Sequence, residues 1–92
     1  MRYHAKFDSS HKPITQALKR IGWPFRDVAR YPGFGADLMS KHHDGYPLLL
    51  EVKAPKVYAL TDSERELQAM FPNFYKIVRD EDDVLHALGL TT

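Results

Sequence analysis

Near the middle of the chain, Leu48-Leu49-Leu50-Glu51-Val52-Lys53 sets a carboxylate and an ammonium two residues apart at the end of an apolar run. In an extended strand alternate side chains share a face, so Leu49, Glu51 and Lys53 point one way and Leu48, Leu50 and Val52 the other. Charges set among leucines are costly unless a partner or a ligand offsets them. One partner lies upstream: Asp37 sits on the preceding extended run and can meet Glu51 across a hairpin. Two carboxylates and a lysine converging in this way can hold a divalent cation through oxygen ligands. The lysine can then neutralise charge on a phosphate or orient an attacking water. The simpler alternative is a structural ion pair at a strand end, since Glu-X-Lys is a common pattern.

The elements that must position these groups are short and separated by Pro and Gly. Ile14, Ala17, Leu18 and Ile21 recur at helical spacing and predict a helix from about Pro13 to Ile21, stopped by Gly22. Pro13 is tolerated in a first turn, where its missing N–H has no intrahelical partner. Thr15, Gln16, Lys19 and Arg20 then face outward. Phe25 to Arg30 and Ala36 to Lys41 read as strands on either side of Tyr31-Pro32-Gly33-Phe34-Gly35. Asp44-Gly45 suits a tight hairpin turn, and Tyr46 to Lys53, apolar on both faces, reads as a central strand. Thr61-Asp62-Ser63-Glu64 has the form of a capping box, opening a helix with Leu67, Met70 and Phe71 inward and stopped by Pro72-Asn73. Phe74 to Arg79 is a further strand. Asp80 then caps a last helix with an acidic first turn, docked by Val84, Leu85 and Leu88 and ended by Gly89. The predicted order is α-β-β-β-α-β-α, an α/β fold.

The length, 92 residues, fits a single domain over 1–92. Hydrophobic residues make up 43% and charged residues 27%, which argues against a disordered chain. No apolar run reaches the roughly 20 residues that span a bilayer, and the first residues lack the apolar stretch of a secretory signal. The sequence has no cysteine, which excludes disulfides, thiolate zinc sites and cysteine nucleophiles and fits a cytoplasmic compartment. The formal charge of +1 conceals an asymmetry: residues 1–58 hold ten Lys/Arg against five Asp/Glu, residues 59–92 three against seven. A basic half beside an acidic one suits an anionic partner such as nucleic acid, or is a solvated surface with chance clustering.

Gly33-Phe34-Gly35-Ala36-Asp37-Leu38, followed by Leu48-Leu49-Leu50-Glu51-Val52-Lys53, resembles the PD-(D/E)XK nuclease signature. Within that superfamily it is most similar to the small phage and bacterial VRR-NUC-like group, which includes Holliday-junction resolvases. The resemblance continues at Leu60-Thr61-Asp62-Ser63-Glu64, placed like that group's Leu-Thr-X-X-Gln helix start. It also takes in Val78-Arg79-Asp80-Glu81-Asp82-Asp83-Val84-Leu85, similar to its closing strand and helix, and so covers most of residues 12–90. It implies a restriction-endonuclease-like α-β-β-β-α-β core, a mixed central sheet flanked by helices. It also implies a metal-dependent deoxyribonuclease acting on DNA, including branched or junction DNA, in a bacterial or phage-infected cell. Asp37 and Glu51 would ligate Mg2+ or Mn2+ with the Val52 carbonyl as a third oxygen, and Lys53 would position water or stabilise developing charge. The sequence departs from the family in three places. Ala36 replaces the usual Pro; Pro13 stands where family members often carry a first-helix Glu; and Glu64 replaces the second-helix Gln. No acid lies between Ser9 and Gly22, so Asp8, Gln16 or water would take the first-helix place. Glu64 either adds a carboxylate or caps its helix.

Other residues support a nucleic-acid surface. Lys12, Lys19, Arg20, Arg26 and Arg30 can track phosphates, and Lys56 and Tyr58, just past the motif, can contact the substrate backbone. Tyr31, Phe34 and Tyr58 fall in loops and can stack on bases, although Phe34 equally suits the core. Adjacent residues of a tight turn rarely converge on one ion, so His42-His43-Asp44 is not expected to be a metal cluster, and His4, His11 and His86 read as surface residues. A domain this small covers little duplex, which favours a homodimer. The competing functions are a nuclease-fold module that binds nucleic acid without strong catalysis, and a small adaptor that meets a protein partner through its acidic half.

Overall fold

The computed structural model describes residues 11–91 of the chain. It is an α/β structure of three helices and one four-stranded mixed sheet, in the order α1 (His11–Arg20), β1 (Arg26–Asp27), β2 (Leu38–Lys41), β3 (Pro47–Val52), α2 (Asp62–Met70), β4 (Tyr75–Val78) and α3 (Glu81–Leu88). The strands lie in the order β1-β2-β3-β4. The first three run antiparallel, and β4 returns parallel to β3 by way of α2. Among the described residues no helix is long and apolar enough to cross a membrane.

Strand β3 is central, and its alternation divides the core in two. Leu48 and Leu50 face a cluster formed with Ile14 and Leu18 of α1 and Val84 and Leu88 of α3. Leu49 faces the other way, into a smaller cluster with Ala36 and Tyr75, against which Phe34, Leu67 and Ile77 pack. Two helices therefore cover one face and α2 the other. Full burial of each of these leucines contributes about 2 kcal/mol, so the α1/α3 face carries most of the apolar stabilisation.

Several boundaries and orientations differ from those expected. Strand β1 covers only Arg26–Asp27 of the predicted Phe25 to Arg30. Asp27 Oδ1 accepts the Ala29 amide at 3.0 Å, and the Tyr31 amide reaches back to the Val28 carbonyl, so the chain turns away from the sheet. Strands β2 and β3 stop short of Asp37 and Lys53 respectively, although the Asp37 and Lys53 amides still donate to the Leu50 and Val78 carbonyls. Ile21 lies outside the helical stripe and is 42% exposed. The reason is a Schellman closure at Gly22, in which the Gly22 amide bonds the Lys19 carbonyl and the Trp23 amide the Leu18 carbonyl. Met70 and Phe71, expected inward, are also exposed, at 67% and 39%. Leu67 packs on the smaller cluster, whereas Phe71, at the C-cap, only borders an apolar hollow beside it with Leu49 and Phe74. Leu85 is half-buried, while Val84 and Leu88 dock fully, as expected.

Candidate metal centre

The hairpin register brings the first carboxylate to the second. Leu38 pairs with Leu50, so Asp37, one residue earlier, falls opposite Glu51. The chain fixes Asp37 twice: its amide donates to the Leu50 carbonyl at 3.0 Å, and its Oδ2 accepts the Val52 amide at 2.8 Å. Glu51 rises from β3 on the α2 side of the sheet and is only 4% exposed. Lys53 follows on the same side, its Nζ 3.6 Å from Glu51 Oε2 and 3.0 Å from Glu64 Oε1. Glu64 caps its helix, one of the two roles considered for it, and also pairs with the lysine. Its Oε1 accepts the Thr61 amide at 2.9 Å, completing the capping box of α2, and the same oxygen accepts from the Lys53 ammonium. Two carboxylates thus pair with the one lysine, and a third, Asp37, lies opposite Glu51.

The electrostatics follow from that ratio. Burial, and after it the charges of Asp37 and Glu64, push the Glu51 carboxyl up to about 9, against which Lys53 works only in part. Burial also raises Asp37, although the Val52 amide and the neighbouring His11 and Glu51 side chains favour its charged form. For Glu64 burial is outweighed by the Thr61 amide and by Lys53 and Glu51, which hold it below the usual carboxylate range. Lys53 loses some hydration, but its bonds to Glu64 and Glu51 win and raise it. Burial and the neighbouring carboxylates thus favour the protonated form of Glu51 at neutral pH.

Asp37, Glu51 and Glu64 open onto a cavity of about 270 Å³ lined also by Tyr31, Phe34 and Gly35. Its rim is the Tyr31–Gly35 turn, which the fold presses onto the start of α2. Gly35 has φ +96, and a Cβ there would lie 2.6 Å from the Ser63 carbonyl oxygen and 3.0 Å from Leu67 Cβ, so only glycine permits the approach. From below, the Tyr75 hydroxyl donates to the Gly35 carbonyl at 2.7 Å. Burial and the surrounding carboxylates raise the Tyr75 hydroxyl well above its ordinary value, so it stays protonated as a donor. Phe34 lines the cavity and packs into the smaller core cluster at once.

The basic and aromatic candidates are more scattered. Lys12 and Lys19 lie exposed on α1, which packs on the face of the sheet opposite Glu51, and they border a separate hollow with Phe25 and Asp27. Arg20 is bonded to Glu81 at the start of α3, at 2.7 Å. Arg30 is exposed one residue past Ala29, which does line the metal-centre cavity. Lys56 and Tyr58 are exposed beyond the end of β3, and neither borders that cavity. Tyr58 is held by Arg79, whose guanidinium carbon lies 5.0 Å from the ring centre and whose Nη2 donates to the Val57 carbonyl.

Two histidine expectations are corrected. His11 is not a surface residue; it is 4% exposed at the start of α1, with Nε2 3.6 Å from Asp27 Oδ2. Pro13 and Gln16, the helix positions considered for a first-helix ligand, are exposed, and Asp8 lies outside the described residues. His42, His43 and Asp44 do converge, with ligand atoms all within 4.8 Å of one another. His86 is exposed, as expected, and His4 lies outside the described residues. Sequence reasoning missed His11, Tyr75 and Arg79, whereas the capping-box spacing and the family resemblance both pointed toward Glu64. Comparison with known protein families, with curated proteins and with solved structures finds no match to this chain.

Proposed function

We propose that the protein is a metal-dependent deoxyribonuclease, an endonuclease of restriction-endonuclease-like fold that hydrolyses DNA phosphodiester bonds with Mg2+ or Mn2+. The observation that carries this reading is the convergence of the Asp37, Glu51 and Glu64 carboxylates at one cavity, with a single ammonium, Lys53, paired to Glu51 and Glu64. The element order and the mixed sheet also support it.

The donor set fits a hard divalent cation: the Asp37 and Glu51 carboxylates, with the Val52 carbonyl as a third oxygen. A bound ion supplies polarisation of the scissile phosphate and a lowered pKa for the attacking water. The chain's own residues do the rest. The Val52 amide holds the Asp37 carboxylate in one orientation. Glu64 holds the Lys53 ammonium charged beside Glu51, where it orients water or meets the charge that builds on the phosphate. Tyr31 and Phe34 offer aromatic faces at the cavity for a base to stack on, and Arg30, Lys56 and Tyr58 supply exposed contacts for the backbone. Lys12 and Lys19 would serve only DNA that reaches the opposite face, which suits a homodimer better than one chain acting alone.

A binding module with weak catalysis is the second reading, favoured by the absence of a carboxylate from α1 among the described residues. Labelled four-way-junction and linear-duplex DNA, incubated with Mn2+, with Mg2+ or with EDTA beside the Lys53→Ala protein, separates the two. Metal-dependent cleavage lost in the variant supports the enzyme. Binding without cleavage in either metal supports the module, and neither binding nor cleavage turns attention to a protein partner.

A further inference from the structure

We propose that the β2–β3 hairpin carries a second, chemically different metal site, in which His42, His43 and Asp44 bind a borderline divalent ion of the zinc class. The hairpin lies at the opposite end of β3 from Glu51, about 13 Å away along the strand. The two sites therefore share no ligand.

The donor geometry is nearly assembled. Asp44 Oδ2 lies 3.6 Å from His42 Nδ1, and Asp44 Oδ1 lies 3.4 Å from His43 Nδ1. Ligands on a tetrahedral zinc with bonds of about 2.0–2.1 Å stand roughly 3.4 Å apart, so each histidine already stands at about that spacing from one of the two Asp44 oxygens. The remaining donor separation, within 4.8 Å, closes by rotation of His43, whose side chain is 46% exposed. His42 Nδ1 accepts the Asp44 amide at 3.1 Å, which places the ring proton on Nε2 and leaves Nδ1 as the ligating nitrogen. The ion exchanges that hydrogen bond for a coordinate bond. Turn closure does not depend on it, because the backbone bonds Gly45 N–H to His42 C=O and His42 N–H to Tyr46 C=O close the hairpin, each at 2.8 Å.

Two further features prepare the place for a cation. The His42 ring is stacked on Tyr46 at 4.3 Å between centroids and 10° between planes, which fixes its orientation. Both imidazoles lie against the end of α3, where the His43 amide donates to the Leu88 carbonyl at 2.9 Å. Gly89 ends that helix, and a Cβ on it would overlap both imidazole rings. The negative end of the helix dipole therefore faces the cluster, and a cation there is favoured. Two imidazole nitrogens and one carboxylate select zinc, nickel or copper over magnesium and leave a coordination position for water.

The test uses the full chain carrying Asp37→Asn and Glu51→Gln, which silences the carboxylate centre. Zinc chloride and magnesium chloride are titrated into it by calorimetry, while the imidazole proton resonances are followed by NMR. The expected result is one zinc per chain, no magnesium heat, and shifts confined to the His42 and His43 rings. Adding His43→Gln and Asp44→Asn, exposed changes that leave the Tyr46 stack in place, should weaken zinc at least tenfold with an unchanged thermal melt. Absence of zinc binding, binding of equal strength after those changes, or shifts at His4, His11 or His86 in place of the hairpin pair would overturn the proposal.

Discussion

Glu51 offers a prediction that needs no assay of activity. Its carboxyl titrates at about 9 in the folded, metal-free protein against an ordinary value of 4.5. Below pH 4.5 it is protonated in both states, and its contribution to stability is fully present. Between 4.5 and 9 the unfolded chain gives up a proton that the folded chain keeps, so stability falls as pH rises. Each pH unit in that window costs at most about 1.4 kcal/mol, a ceiling of about 4 kcal/mol between pH 5 and pH 8. Relaxation of the site brings the expected loss to about 1–3 kcal/mol. Asp37 is raised too and adds in the same direction. Glu64 is lowered and Lys53 raised, so their contributions change below and above this window. Urea unfolding in EDTA at successive pH values should show the loss. The Glu51→Gln protein should have a flatter profile and exceed the wild type at pH 8. Millimolar Mn2+ should restore the wild type at pH 8 and leave the variant unmoved, since an ion that binds only the folded chain stabilises it by mass action. A wild-type profile that is flat, that rises toward pH 8, or that has the same slope as Glu51→Gln would refute the charge imbalance.

Lys53→Met should lower metal-dependent cleavage by about 10²–10³-fold while leaving DNA affinity within a few-fold, as measured by single-turnover cleavage and by gel shift. Tyr75→Phe removes the donor to the Gly35 carbonyl and should cost about 1–3 kcal/mol in urea unfolding, through an acceptor left without its partner at the cavity rim. Thr61→Ala deletes the hydroxyl that accepts the Glu64 amide and should cost about 1 kcal/mol by thermal melting.

The fold was legible where local chemistry and periodicity agree. The run from Leu48 to Lys53 is extended and apolar on both faces, and the Asp44-Gly45 turn fixes how far back its partner lies, so Asp37 could be set opposite Glu51 by counting. The two helix caps at Thr61 and Asp80 and the stop at Gly89 were readable for the same reason: each is a short-range hydrogen-bond pattern written in adjacent residues. What escaped was decided by packing between distant segments. Periodicity marks the apolar stripe of α2 but carries no information about where along the helix its packing ends, so Met70 and Phe71 were placed inward. A count of basic residues similarly says nothing about faces, and it grouped Lys12 and Lys19 with a centre that the sheet separates from them. His11 gave no signal because its contact depends on the start of α1 meeting Asp27 of β1, a pairing between separate segments.

The site couples two functions in one side chain. One oxygen of Glu64 closes the cap of α2 and holds the Lys53 ammonium, so the first turn of that helix and the lysine form one mechanical unit. The turn from Tyr31 to Gly35 rests on the same helix at Ser63 and Leu67, and the Tyr75 hydroxyl clamps it from beneath. Cavity rim, lysine and helix cap therefore shift together or not at all. A glutamine in place of Glu64 would keep the cap but surrender the charge that anchors Lys53, leaving the ammonium nearer to Glu51 alone. Glu64 thus holds the lysine charged and at a set distance, yet its own charge worsens the repulsion that keeps Glu51 protonated. On the proposed function, a divalent cation held by Asp37 and Glu51 would offset both effects at once.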